Sequence, residues 1–435
     1  MSSPADAAPH RYRPGTARAA FAYRDFRLIW IGLFASNIGT WMQNFTLPAY
    51  IEHRTGSASL VGLVTFMQLG PMLLLAIPGG VLADKFPRRP YLISMQVVQL
   101  VGSVVLALLV AADAAVWTLM AAALLVGVGN ALNMPAFQAS VPLLVQRQDL
   151  AGAVSMNSVM INGSRVVGPA LAAVLALGGA TTSQLFLVNA VTYLFLIAAI
   201  LAVHVPDVRG QFEEQGWRRL LVGLKIARRR PVIGRSLVTM CIFSLVCLTY
   251  VGLFPSIAAR NLGVDVDGAG YKLLYTIWGV GACLGALAVG TVFARFDRRR
   301  IVVNGLLLFA ICLAAYAVVR APGPAVPVVF ALGFAYFLIT TSIATTFQEN
   351  LADTERASVM PLWFMCFAGS IPIGNLIFGP IMDAIGPRWV LAIGVVTALA
   401  LVPYADLRRL PASAFLDRAT VVPTPGAEPA GGAAG

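Results

Sequence analysis

From about residue 26 to residue 404 the chain is a succession of apolar stretches, each long enough to cross a bilayer as a helix, separated by short polar joints. A spanning helix needs about 20 apolar residues, and IVVNGLLLFAICLAAYAVV at 301–319 carries no charge at all. Six such stretches fall near 26–51, 58–83, 90–112, 115–145, 150–177 and 183–204. Six more lie near 233–259, 268–294, 301–319, 325–348, 357–384 and 388–404. Only 11% of the 435 residues are charged, whereas a water-soluble surface is usually built with about a quarter. The expectation is an all-α membrane protein with 12 transmembrane helices.

The first span follows a basic leader with Arg11, Arg13, Arg18 and Arg24, and it is too long for the apolar core of a signal peptide. It is expected to remain as a helix. With the amino terminus in the cytoplasm, most of the 31 Lys and Arg fall on inner loops, which is the positive-inside pattern. The even number of spans then places both termini in the cytoplasm of a cell's inner (plasma) membrane. The net charge of +12 is thereby accounted for by the lipid bilayer's anionic headgroups, and no nucleic-acid partner is expected. The domain reading is a cytoplasmic segment over 1–25, a six-helix bundle over 26–204, a cytoplasmic linker over 205–232, a second bundle over 233–404 and a tail over 405–435. The linker has the pattern of a short amphipathic helix lying on the membrane surface. The tail ends VVPTPGAEPAGGAAG and offers nothing to bury, so disorder is expected there. Five cysteines without a CxxC pair read as small packing residues.

The two sets of spans are copies of one unit. GVLADKFPRRP at 80–90 is echoed by GTVFARFDRRR at 290–300, and Phe137-Gln138 by Phe347-Gln348. Gly168-Pro169 returns as Gly379-Pro380 at nearly the same spacing. Two parallel six-helix repeats about an axis normal to the membrane are the expected architecture.

On these residues the chain resembles the major facilitator superfamily. Gly80, Asp84, Lys85, Arg88 and Arg89 are similar to its signature loop between the second and third spans. The stretch 127–175 resembles the branch that holds bacterial siderophore (enterobactin-type) exporters and macrolide efflux proteins. The resemblance implies the major facilitator fold and a secondary transporter, and it implies that Asp84 faces the positive start of the eleventh span as a conformational latch. The bland alternative is a basic inner loop that only obeys the orientation rule. Gly163, Gly168 and Pro169 resemble the fifth-span motif of antiporter branches, and ordinary helix packing would explain them equally well.

Arg165 is the one deep charge in the sequence. It lies about 22 Å along the fifth span at 1.5 Å per residue, where a charge is costly and is normally paired or facing water. Ser158, Asn162, Arg165 and Pro169 form one helical stripe, and Asn37, Trp41, Asn44 and Pro48 form another on the first span. With Asn130, Tyr250, Tyr336 and Thr340 they are the candidate substrate cavity. Hydrogen bonding between helices is the competing reading for any one of them.

The chain has no phosphate-binding loop and only three histidines, all outside the central spans, so no cofactor and no metal site are expected. The fourth-span arginine common in drug–proton antiporters is Ala123 here, and Glu349 remains the candidate proton carrier. The first functional reading is therefore a monomeric, non-enzymatic exporter of a small amphipathic compound such as a drug, siderophore or secondary metabolite, with protons the candidate coupling ion. An uptake permease for an organic anion and a non-transporting membrane sensor are the alternatives.

Overall fold

The computed structural model describes residues 12–203 and 216–416. Every long element among them is a helix. We number the spans α1 (Arg24–Thr55), α2 (Ala58–Leu69 continued by Pro71–Lys85), α3 (Arg88–Ala111), α4 (Val116–Ser140), α5 (Leu150–Leu177) and α6 (Thr182–Ala202). The second set is α7 (Pro231–Ile242 continued to Leu262 through a π turn at Phe243–Cys247), α8 (Ala269–Gly290), α9 (Arg298–Val318) and α10 (Pro322–Glu349). It ends with α11 (Asp353–Phe364 and Ser370–Ile385, joined by a π turn at Met365–Gly369) and α12 (Pro387–Ala405).

Local chemistry sets the joints. Gly56 adopts a left-handed φ of 59° that ends α1, and the Ser57 hydroxyl accepts from Leu60 N to start α2 one residue later. Thr181 and Gln184 form a reciprocal capping box at the start of α6. Gly386, with φ 87°, permits the tight turn into Pro387 of α12.

Eleven of the described helices are long and apolar enough to cross a membrane, against twelve spans expected. The exception is α1. At 32 residues it is long enough, but Asn37, Gln43 and Asn44 dilute its apolar character. Gln43 is buried in a polar network: its Oε1 accepts from Ser103 Oγ at 2.7 Å and from Asn189 Nδ2 at 2.8 Å.

In the first half α1 packs on α5 and α6, and α3 on α4 and α6; in the second, α10 packs on α8 and α9, and α9 on α12. The halves meet along two seams, α2 with α11 and α5 with α8. Gly62 lets the α2–α11 seam close, since a Cβ there would stand 2.2 Å from the Asn375 carbonyl oxygen. The start of α1, the α2–α3 loop, helix Gly216–Arg229 and the end of α12 share one face, the terminal face; the opposite face is distal.

The expected amphipathic linker helix is Gly216–Arg229, and residues 204–215 of that linker lie outside the described residues. The side with Leu220, Gly223 and Ala227 is seated on the first section of α11, with Gly223 against Ser358 and Arg230 bonded to Glu355 at 2.6 Å, whereas Leu221, Val222 and Leu224 are exposed. The tail needs correcting. Residues 406–416 are folded, because Leu407 is buried and Leu416 N donates to Asn350 Oδ1 at 2.9 Å; 417–435 lie outside the described residues. Residues 1–25 are likewise structured in part. Helix Ala17–Ala22 leads to Tyr23, whose hydroxyl donates to Asp149 at 2.8 Å. Burial and Asp149 push the Tyr23 phenol up to about 12, so it remains a donor at any physiological pH.

Candidate functional site

Between the halves, at the middle of α5, the Arg165 guanidinium lies over the Trp41 ring of α1, 4.9 Å from its centroid. The side chain is half-buried, and its Nε is buried with no hydrogen-bond partner. Among the described residues Arg165 forms no salt bridge. The α5–α8 seam sets this first-half cation against the second half of the molecule. A cation over an indole face is stabilised by about 0.5–2 kcal/mol. That does not replace the lost hydration of the guanidinium.

An aromatic roof closes the site on its distal side. Phe45, one turn beyond Trp41, stacks on Tyr271 at 4.9 Å and lies 4.4 Å from the Tyr275 ring. Tyr275 in turn touches Trp278 at 4.9 Å, and Trp278 stacks on Tyr336 at 6.0 Å. The stripe rule that selected Asn37, Trp41 and Asn44 selects Tyr271, Tyr275 and Trp278 as well, at i, i+4 and i+7 on α8. The sequence analysis applied it to amides and missed these rings.

The remaining candidates are distributed as follows. Asn44 and Asn130 are half-buried, as are Asn37 and Asn162, whose amides are spent on their own helices: Asn37 donates to Leu33 O and Asn162 to Ser158 O, each at 2.9 Å. Tyr250 lines no open space. It is 1% exposed, accepts from Trp278 Nε1 at 2.9 Å and rests on Phe309. Thr340 is buried with its hydroxyl donating to the Tyr336 carbonyl at 3.1 Å. Gly168 lets α5 approach α1, since a Cβ there would lie 2.7 Å from Ile38 O. Gly163 has only the Phe34 ring nearby, and Pro169 is buried within α5. Glu349 stands at the terminal end of α10, bonded by Arg298 at 2.6 Å. It borders an open cavity of about 500 Å³ with Asp297, Arg299 and Phe415.

Beyond the roof lies a polar gate that the sequence analysis passed over. Asp383 of α11 accepts from the Ala58 and Ser59 N–H groups at 2.9 and 2.8 Å, and from Ser57 Oγ at 3.1 Å. It thus sits at the positive amino terminus of α2. Arg260 of α7 bonds the same carboxylate at 2.6 Å and reaches Glu52 of α1 at 3.5 Å. Glu52 is 4% exposed and accepts from Ser256 Oγ at 2.6 Å. Only the fold joins these charges, because they stand on three helices and meet at the start of a fourth.

The distal face is therefore closed. Toward the terminal face α2 and α11 diverge: Ala58–Leu69 packs closely on Ser370–Ile385, whereas Pro71–Lys85 reaches the π turn of α11, where Gly369 meets Leu73. In the loop that follows, Lys85 is exposed, Arg88 is buried and Arg89 donates to the Leu201 carbonyl. The side chains of Gly80 and Asp84 lie outside the described residues.

Asn375 sits at the closed seam against Gly252 and Gly62, fully buried, with both amide atoms lacking partners. An orphaned buried polar group costs about 1–3 kcal/mol, and separation of the distal ends would return this one to water. Asn375→Leu is expected to stabilise the closed distal face by a similar amount, about 1–3 kcal/mol, and to slow turnover. A thermal melt and a transport rate check it; an unchanged melt contradicts it.

The comparisons agree with this architecture. The family profile described as transmembrane secretion effector matches residues 15–428. The staphyloferrin A transporter of Staphylococcus aureus is 24% identical over 80% of this chain and 87% of its own length. Macrolide efflux protein A of Streptococcus pyogenes is 22% identical, over 87% of this chain and 94% of its own. The enterobactin exporter of Shigella boydii is 24% identical, covering 89% and 94%. Among solved structures, the nucleoside transporter NupG superposes with a TM-score of 0.71 at 12% identity, over 89% of this chain and all of that one. A bacterial homologue of the human lysosomal transporter Spinster, inward-facing and occupied, gives 0.68 at 15%, over 91% and 99%.

Proposed function

The chain belongs to the transmembrane secretion effector family of the major facilitator superfamily, and we propose that it exports a small amphipathic anion by alternating access around Arg165. The observation that carries this is the guanidinium over Trp41, between the halves, with a buried Nε and no acid paired to it. A buried charge without a counter-ion is stabilised when an anionic group supplies one. Aromatic walls from Trp41, Tyr275 and Trp278 suit an unsaturated or apolar body. Among the relatives this favours an anionic siderophore-like cargo over a macrolide bearing a protonated amine, which the Arg165 charge repels.

With the terminal face cytoplasmic by the positive-inside argument, the structure is inward-facing and loads from the cytoplasm. Export then requires the Asp383–Arg260–Glu52 gate to part while α2 and α11 close on the other side. In that closed state Asp84 is the candidate latch, with Lys85, Arg88 and Arg89 holding its loop at the headgroups.

Everted vesicles test the reading. Carboxylate and catecholate chelators are expected to accumulate above controls, and a cationic macrolide is not. Net accumulation only in intact cells would favour uptake; no movement in either preparation would leave a non-transporting role. For proton coupling, Glu52 is a second candidate carrier beside Glu349: it is buried in the moving gate and held by Arg260 at 3.5 Å, a looser pairing than that of Glu349, whose two oxygens Arg298 bonds at 2.6 Å. Substrate-evoked alkalinisation of the vesicle lumen is expected to be lost in Glu52→Gln and retained in Glu349→Gln. The reverse result would return the role to Glu349.

A further inference from the structure

Two of the five free cysteines, 125 residues apart in sequence, meet in the fold. Cys241 lies at the end of the first section of α7, and Cys366 lies in the π turn of α11. The first section of α7, which carries Cys241, packs directly on the π turn that holds Cys366. Cys241 Sγ also lies 3.5 Å from the hydroxyl of Ser370, four residues beyond Cys366 on α11. Both thiols are half-buried, whereas Cys247 and Cys312 are buried. Reactive thiols are partly exposed and inert ones enclosed. Cys241 stands just before the π turn of α7, and this turn contacts that of α11. Such turns interrupt the regular ladder and recur at functional sites.

We propose that Cys241 and Cys366 form a paired dithiol that hydrogen peroxide, a two-electron oxidant, closes to a disulfide tying α7 to α11. One thiolate sulfur attacks a peroxide oxygen; the O–O bond breaks, a sulfenic acid forms and one water leaves. The second thiolate attacks that sulfur, the S–S bond forms, and the sulfenic oxygen departs as a second water. Two thiols are oxidised by two electrons in total, and one peroxide is reduced to two waters. The tie runs from just before the π turn of α7 into that of α11, so it splints the two helices that carry Arg260 and Asp383.

The test needs no substrate. The full-length protein in nanodiscs is treated with hydrogen peroxide and mapped by mass spectrometry without reduction. A linked pair of peptides containing Cys241 and Cys366 is expected, reversed by dithiothreitol. It should be absent in Cys241→Ser and Cys366→Ser, and absent in wild-type protein alkylated before oxidation, a control that requires no variant to fold. Hydrogen exchange at 243–247 and 365–369 is expected to slow in the linked form. Recovery of both thiols free, their separate oxidation to sulfinic acids, or linkage through other cysteines would overturn the site. A link that leaves exchange in both turns unchanged would overturn the splint.

Discussion

Asp383→Asn is expected to open the distal face. The wild-type carboxylate gathers two backbone N–H groups at the start of α2, the hydroxyls of Ser57 and Ser59, and the Arg260 guanidinium from the other side of α11. The first four belong to one half of the molecule and Arg260 to the other, so Asp383 is where α2 and α7 are held together. A hydrogen bond to a charged group contributes about 1.5–3 kcal/mol. The contributions do not add, and a side chain about a third exposed is partly screened by water. A net loss of about 3 kcal/mol is the expectation, and at 1.4 kcal/mol per tenfold it shifts the balance between faces a little over a hundredfold. Distances between spin labels at the distal ends of α1 and α7 should then show a longer population that the wild type lacks. If the distribution does not move, Glu52–Arg260 and the aromatic roof hold the gate without Asp383.

The second large effect belongs to Arg165. Arg165→Gln removes the charge but keeps an amide of similar reach, so transport of an anionic cargo should fall by about 10- to 150-fold in kcat/KM, the equivalent of about 1.5–3 kcal/mol. Arg165→Lys is expected to recover only part of this. A compact ammonium neither stacks on Trp41 as a planar guanidinium does nor offers two parallel donors. Transport kinetics of the three proteins in vesicles, with and without an anionic chelator, decide the matter. Equal kinetics in wild type and Arg165→Gln would reduce Arg165 to a packing residue and remove the basis for an anionic cargo.

Much of this molecule was legible in one dimension because a bilayer imposes one-dimensional rules. A helix that must satisfy its own backbone hydrogen bonds in hydrocarbon needs a run of apolar residues, so the spans could be counted. The repeat could be read because both copies keep their markers at one spacing. Arg165 stood out because a charge at that depth is rare. The rules weaken where protein replaces lipid as the neighbour. On that account α1 looks too polar to span, since the Gln43 carbonyl oxygen is bonded by Ser103 and Asn189 from α3 and α6. Tyr250 looked like a cavity residue because polarity on a helix does not reveal whether it faces open space or, as here, the Trp278 indole.

The sequence by itself determined the twelve helices, their pairing into two halves and the single cation at the centre, all of which follow from local composition and spacing, and the motifs at 80–90 and 127–175 carried the resemblance to the family. The tertiary structure alone decided what faces that cation, which face is closed, and which charges close it. Glu52, Arg260 and Asp383 lie on three helices and at no common spacing, and each taken alone reads as an ordinary charge at a helix end. Their meaning is an energy of contact between segments hundreds of residues apart, and that energy exists only once the halves have packed.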